Sequence, residues 1–161
     1  MRLLHKNILF TLLVPGVVAV GLPLALARGR PLAASGPLLT LAAALLGIGA
    51  AAYAWCVWDF AAYGRGTPLP LDAPRRLVTR GLYRYTRNPM YLGVLSVAAA
   101  WPAIFASSWL LVYVAGLALA FQLFVVLYEE PRLRALFGAE YVAYCRTVAR
   151  WLPRPRPPTP S

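Results

Sequence analysis

Two short polar segments interrupt an otherwise apolar chain, and they hold the residue types that could do chemistry. The first runs Gly81-Leu82-Tyr83-Arg84-Tyr85-Thr86-Arg87-Asn88-Pro89-Met90-Tyr91-Leu92-Gly93. Gly81 permits a turn, and Pro89 suits the first turn of a helix. Asn88 then falls at the N-cap, a position that asparagine favours. A helix start presents free N–H groups and the positive end of the helix dipole, which suit a carboxylate or another anion. Arg87 adds a full charge beside them. The second segment is Glu129-Glu130-Pro131. Here two adjacent carboxylates close an apolar run on a side dominated by arginine, a costly placement unless they are paired or functional. Brought to one membrane face, the two segments make a pocket of opposite charges. Such a pocket suits a zwitterion such as an amino-acid group, whose carboxylate and ammonium need different partners. Plainer readings stay open on these residues alone: interfacial anchoring by the aromatic residues and arginines, and a Glu-Arg pair that only fixes helices.

Other chemistries lack their parts. His5 is the only histidine, and Cys56 and Cys145 form no CxxC. No metal site is expected, and neither a Ser-His-Asp nor a Cys-His mechanism has a base. The formal charge of +11 would suit nucleic acid. The basic residues flank apolar spans, however, so anionic lipid and membrane topology account for them and no nucleic-acid partner is expected.

The elements that must position these segments are membrane helices. Of the 161 residues, 60% are hydrophobic and 13% charged, and the apolar residues gather into long runs. The expected fold is all-α, an integral membrane protein with about four transmembrane helices over roughly 8–27, 38–62, 90–105 and 109–128. The last two form a tight hairpin, and amphipathic C-terminal helices follow on the cytoplasmic face. The first span follows Arg2 and Lys6, as a signal peptide would, but its apolar run is longer than a signal core and reads as a retained helix. Gly47 and Gly49 suit close helix packing. Trp55, Trp58 and Tyr63 mark an interface, where Asp59 serves as a cap, a partner for Arg65, or a functional acid. The third span is near the lower limit of about 17 residues for crossing a bilayer, so it is expected to tilt or stop short. With four crossings, only Arg28 and Arg30 of the 16 basic residues lie on one side. The positive-inside rule then places both termini and the loop 64–89 in the cytoplasm.

In the tail, Leu133, Leu136, Phe137, Tyr141 and Tyr144 recur at helical spacings between Arg132, Arg134, Glu140 and Arg146. Pro131 disfavours helix at Glu130, so the fourth span should end there and a new helix begin. Gly138 should end the first amphipathic helix. Residues 1–152 form one domain, and 153–161 a Pro-rich tail.

The ordered set Gly81-x-Tyr83, Arg87-Asn88-Pro89-Met90-Tyr91-x-Gly93, Glu129-Glu130-x-x-Leu133-x-x-x-Phe137-Gly138-x-Glu140-Tyr141-x-x-Tyr144 and Trp151-Leu152-Pro153 resembles the isoprenylcysteine carboxyl methyltransferase family. That family is similar to the membrane phospholipid N-methyltransferases. The resemblance covers about half the chain and implies S-adenosylmethionine as cofactor. It implies a cofactor pocket lined by Arg75, Arg76, Leu77, Val78, Tyr83, Asn88, Pro89, Met90 and Tyr91, with Glu129 at the cofactor's polar end. Arg87 and Glu130 are then the candidate catalytic residues, and Tyr141, Tyr144 and Arg146 the candidates for the acceptor side. Eukaryotic members carry His at the position of Asn88, and an Arg at the position of Val125 that is thought to meet an isoprenylcysteine carboxylate. The chain departs from both. The expected function is methyl transfer to a lipophilic or membrane-embedded acceptor: a lipid amine, a carboxylate or a small lipophilic nucleophile. Displacement at a sulfonium needs alignment more than acid-base groups, which fits a site without histidine. Two alternatives are an NADPH-dependent sterol-type reductase and a non-enzymatic membrane packing subunit. The expected location is a bacterial or archaeal cell (inner) membrane; oligomeric state is not legible.

Overall fold

The computed structural model describes residues 12–64 and 76–152. His5, Arg65, Arg75 and the Pro-rich tail lie outside them. Among the described residues there is no strand, only one isolated parallel bridge between Thr86 and Ala149.

The first apolar element, α1, is a π-helical stretch Leu12–Gly21 that passes into a short α-helix Leu22–Leu26. Pro23 has no N–H, so it cannot serve the carbonyl of Ala19 in an α pattern or that of Val18 in a π pattern. Both carbonyls find donors on later helices. The Trp101 indole N–H donates to Ala19 O at 2.6 Å, and the Tyr113 hydroxyl donates to Val18 O. The break at Pro23 is thus also a docking point of α1.

Helix α2, Pro37–Asp59, continues as a π turn Phe60–Gly64. A 3-10 turn Gly81–Arg84 leads into α3, Pro89–Phe105. Helix α4, Ser108–Phe124, runs through a π turn Val125–Glu129 into α5, Glu130–Thr147. Helices α3 and α4 meet at Ala106, in a left-handed conformation (φ 45, ψ 46), and Ser107, a hairpin as tight as expected. The loop before α2 folds over the end of α3, where Ala33 and Ala34 both donate to Ile104 O at 3.0 Å.

Two helical stretches are long and apolar enough to cross a bilayer, Pro37–Tyr63 and Ser108–Thr147. Only 11% of the most apolar window of each is buried within the chain. A core helix of a soluble protein would be covered. Here Leu38, Leu39, Leu41 and Ile48 of α2, and Trp109, Leu111, Val112, Leu119 and Leu123 of α4, point outward, as lipid-facing side chains do. The chain is a membrane protein. Helix α3, with 17 residues, rises about 26 Å against a hydrocarbon core of about 30 Å. It is also the inner helix, burying Gly93, Val94, Ala98, Ala100 and Pro102. It crosses α2 at Gly49 and Gly93. A Cβ on Gly49 would lie 2.7 Å from Gly93 O, and one on Gly93 would lie 2.9 Å from Gly49 O. Ser96 adds a bond to Leu45 O at 3.0 Å. Gly47, the other small residue of the expected packing pair, faces open space.

The chain does not break at Glu130. Pro131 cannot donate to Leu127 O, and the backbone absorbs this by widening: the Glu130 N–H reaches back to Val125 O, closing the π turn, and α5 starts in line. The bend comes later, at Gly138 (φ 50, ψ −123), where the sequence places a helix end.

Candidate active site

The segment before α3 and the Glu pair after α4 come together at one end of the helices, and the chain after α5 ties them. Residues 149–151 run beside residues 86–88. Arg87 N donates to Ala149 O at 2.9 Å, and both the Thr86 hydroxyl and the Asn88 side-chain amide donate to Arg150 O at 3.0 Å. Asn88 occupies the N-cap position of α3, yet its side chain caps no helix N–H. Its amide is spent on the crossing segment 149–151 instead.

That crossing delivers Arg150 to Glu130. The guanidinium grips the carboxylate with two bonds, Nε to Oε1 at 2.7 Å and Nη2 to Oε2 at 3.0 Å. Arg87 Nη1 reaches the same Oε1 at 3.1 Å, and Arg134 Nη2 reaches Oε2 at 3.5 Å. The bond to Glu130 holds the Arg150 guanidinium above the usual arginine range, so it stays charged. Glu130 is 4% exposed, and its lone pairs are committed to three arginines. Arg87 also bonds Cys145 Sγ through Nη1 at 2.6 Å, while its buried Nε has no partner among the described residues.

Glu129, the neighbour, stands in different company. It accepts a bond from the Tyr91 hydroxyl at 2.9 Å, and no cation among the described residues pairs with it. The ring of its partner Tyr91 lies 4.8 Å from that of Phe121 and 6.4 Å from that of Trp151. The Trp151 indole is anchored on Gln122 Oε1 at 2.6 Å, inside α4.

The 3-10 turn packs close by. Tyr83 is buried with Cys56 and Val78, against Phe60, Leu82 and Met90. Burial holds the Tyr83 hydroxyl well above the usual phenol range, and the neighbouring Cys56 and Glu129 push the same way, so it remains a donor. Tyr144 fixes this turn from α5 by donating to Tyr83 O at 2.6 Å.

Of the residues the sequence singles out, Val78, Tyr83, Arg87, Asn88, Met90, Tyr91, Glu129 and Glu130 gather here, with Pro89 starting the helix. Leu77 packs instead with Tyr141, Tyr144 and Val148, in a second cluster completed by Leu133, Phe137 and Cys145. The two tyrosines meant for the acceptor side are therefore buried in helix packing, and Arg146 and Arg76 are exposed. Sequence reasoning missed Arg150, Arg134, Cys145 and Gln122. Arg134 lies one helical turn after Glu130, a spacing that signals a pair. Arg150 has no signal beyond standing next to Trp151.

Comparison with protein families gives a match over residues 38–140 to a family described as phospholipid methyltransferase. Neither curated proteins nor solved structures gave a significant match. The matched range contains α2 to most of α5, and with them Tyr83, Arg87, Asn88, Tyr91 and both glutamates.

Proposed function

The chain belongs to the phospholipid methyltransferase family, a family of membrane methyltransferases, and on that premise we propose that it transfers a methyl group from S-adenosylmethionine to an acceptor that arrives from the bilayer. The observation that carries this reading is the pair of unmatched groups beside the Glu130 network. Among the described residues Glu129 has a hydroxyl partner but no cation, and the buried Arg87 Nε has a proton to donate and nothing to receive it. A free carboxylate and a free guanidinium N–H at one site fit the ammonium and carboxylate of the cofactor's amino-acid end.

The cofactor supplies a methyl group on a sulfonium, open to direct displacement. The work of the chain is then to bind, orient and exclude water. Glu129 and Arg87 orient the amino-acid end. Asn88, Pro89, Met90, Tyr91, Val78 and Tyr83 form the walls, with the exposed Arg76 beside them; Arg75, also expected there, lies outside the described residues. Tyr91, bonded to Glu129 and packed with the rings of Phe121 and Trp151, makes the surroundings aromatic, an environment that favours a cationic centre. Glu130 acts by holding Arg87 rather than by meeting substrate. Tyr141 and Tyr144 support the acceptor side from beneath, and Arg146 lies at its rim.

The acceptor class that the family description favours is a phospholipid, its nucleophile a headgroup amine. A lipid carboxylate or a small lipophilic nucleophile is the outcome if no phospholipid is labelled. All four apolar helices cross the membrane in this reading, with the termini and the site on the cytoplasmic side, where 14 of the 16 basic residues fall when Arg28 and Arg30 are set apart. Residues 1–152 act as one catalytic domain. The test is calorimetric titration of the purified chain with S-adenosylhomocysteine. Binding that Glu129→Gln weakens supports the site, and absence of binding refutes the cofactor.

A further inference from the structure

Asp59 ends α2 on the side facing the 3-10 turn, and it is a poorly served carboxylate. It is 3% exposed. Its Oδ1 lies 3.8 Å from Arg80 Nε, a long contact to a side chain that is itself 53% exposed. Its Oδ2 is buried and accepts no hydrogen bond from the described residues. Glu130, as deeply buried, has three arginines within 3.5 Å. A buried carboxylate so thinly matched costs stability, because its lost hydration is not replaced. Packing alone would favour a neutral residue here.

What the unserved oxygen touches is the start of the turn that bears Tyr83. A Cβ on Gly81 would overlap Asp59 Oδ2 and would come within 3.0 Å of Trp55 Nε1, and Gly81 has φ +57. The carboxylate thus fills the space that a side chain at position 81 would need. Arg80, one residue earlier, is drawn to Asp59 on one side and lies 3.5 Å over the Tyr63 ring on the other. So α2 and its π turn grip both residues that open the 3-10 turn, while Tyr144 grips the turn's far side at Tyr83 O.

We infer that Asp59 is a positioning residue: through Arg80 and Gly81 it sets the 3-10 turn, and with it Tyr83 and the Thr86–Asn88 crossing, in the geometry that binds the cofactor. The inference rests on the binding site proposed above. It predicts an unusual split, in which removing the charge weakens binding while leaving the fold as stable or more so.

The test measures S-adenosylhomocysteine affinity and thermal stability of the full chain in detergent, for wild type, Asp59→Asn, Arg80→Gln, Arg80→Lys and Glu129→Gln. Asp59→Asn and Arg80→Gln should each raise Kd about fivefold, the weight of one ion pair with an exposed partner. The Tm of Asp59→Asn should not fall, and Arg80→Lys, which keeps the charge, should bind close to wild type. If Asp59→Asn binds as wild type does while Glu129→Gln is weakened, the positioning role is wrong and the site stands. If Asp59→Asn loses stability and affinity together, Asp59 is only a packing residue and the inference fails. If Glu129→Gln also binds normally, or wild type does not bind, the site itself is misplaced and the inference falls with it. Arg80, being exposed, gives a variant that folds even if Asp59→Asn does not.

Discussion

Glu129 and Glu130 are adjacent in sequence, yet their substitutions by glutamine should have opposite signatures. Glu130→Gln removes the charge that three arginines share. Two of these rehydrate readily, since the Arg134 and Arg150 side chains are 56% and 33% exposed. Arg87 cannot, at 11% exposure, and is left as an uncompensated cation against the Cys145 thiol. Breaking a buried pair from one side costs about 3–5 kcal/mol, and the retained amide oxygen and the two exposed partners reduce that to about 2–4 kcal/mol. Glu129→Gln keeps an oxygen for the Tyr91 hydroxyl and strands no cation, so its stability should change by less than about 1 kcal/mol. Its ligand affinity is where the loss should appear. A charge-assisted bond to an ammonium is worth about 1.5–3 kcal/mol, which is on the order of tenfold to a hundredfold in Kd. Denaturation in mild detergent, read by tryptophan fluorescence, gives the first quantity, and titration with S-adenosylhomocysteine the second. Equal stability of the two variants would refute the division of labour, as would a Glu129→Gln protein that binds normally.

Four other substitutions probe the framework. Asn88→Ala should destabilise the crossing of residues 86–88 with 149–151 by about 1 kcal/mol, and Asn88→Asp should be worse, because it replaces the donor to Arg150 O with an acceptor; a cap role alone would make Asp harmless, so chemical denaturation of the pair decides. Gly93→Ala places a methyl 2.9 Å from Gly49 O and should cost about 1–3 kcal/mol, with an unchanged melting curve counting against the close crossing of α2 and α3. Trp101→Phe should cost about 1–3 kcal/mol, because it leaves Ala19 O without the donor that Pro23 cannot supply, and wild-type stability would show that α1 docks otherwise. Trp151→Phe keeps the ring beside Tyr91 but loses the bond to Gln122, so ligand affinity should fall by less than for Glu129→Gln; a larger fall would move the binding determinant to residues 149–151.

Much of this architecture is legible because it is set by composition and local rules. Long apolar runs, Pro89 at a helix start, and three residues between two spans are enough to give helices and a hairpin. The Glu pair and the Arg87-Asn88 turn stand out because charge is scarce in such a chain. Their joining is harder to read. Asn88 looks like a cap, and only the return of residues 149–151 shows its amide spent on Arg150 O. Arg150 is twenty residues from Glu130, a distance that no helical spacing signals. Asp59 reads as a partner for Arg65, which lies outside the described residues, and its contact with Arg80, twenty-one residues on, has no signal along the chain. Tyr141 and Tyr144 share the helical recurrence of Leu133 and Phe137 and are candidates for the acceptor side, yet beyond the bend at Gly138 they are buried with Val148. In each case the missing information is tertiary: which segment crosses which.

The central claim, methyl transfer to a membrane acceptor, is tested most directly by reconstituting the full chain in bilayers of mixed phospholipids with S-adenosylmethionine carrying an isotopically labelled methyl group. The lipids are then extracted and read by mass spectrometry. The account predicts labelled methyl in the lipid fraction, carried on headgroup amines, with the yield strongly reduced for Glu129→Gln. Labelled lipid at the same level with and without the protein, or no difference between wild type and Glu129→Gln, would contradict it.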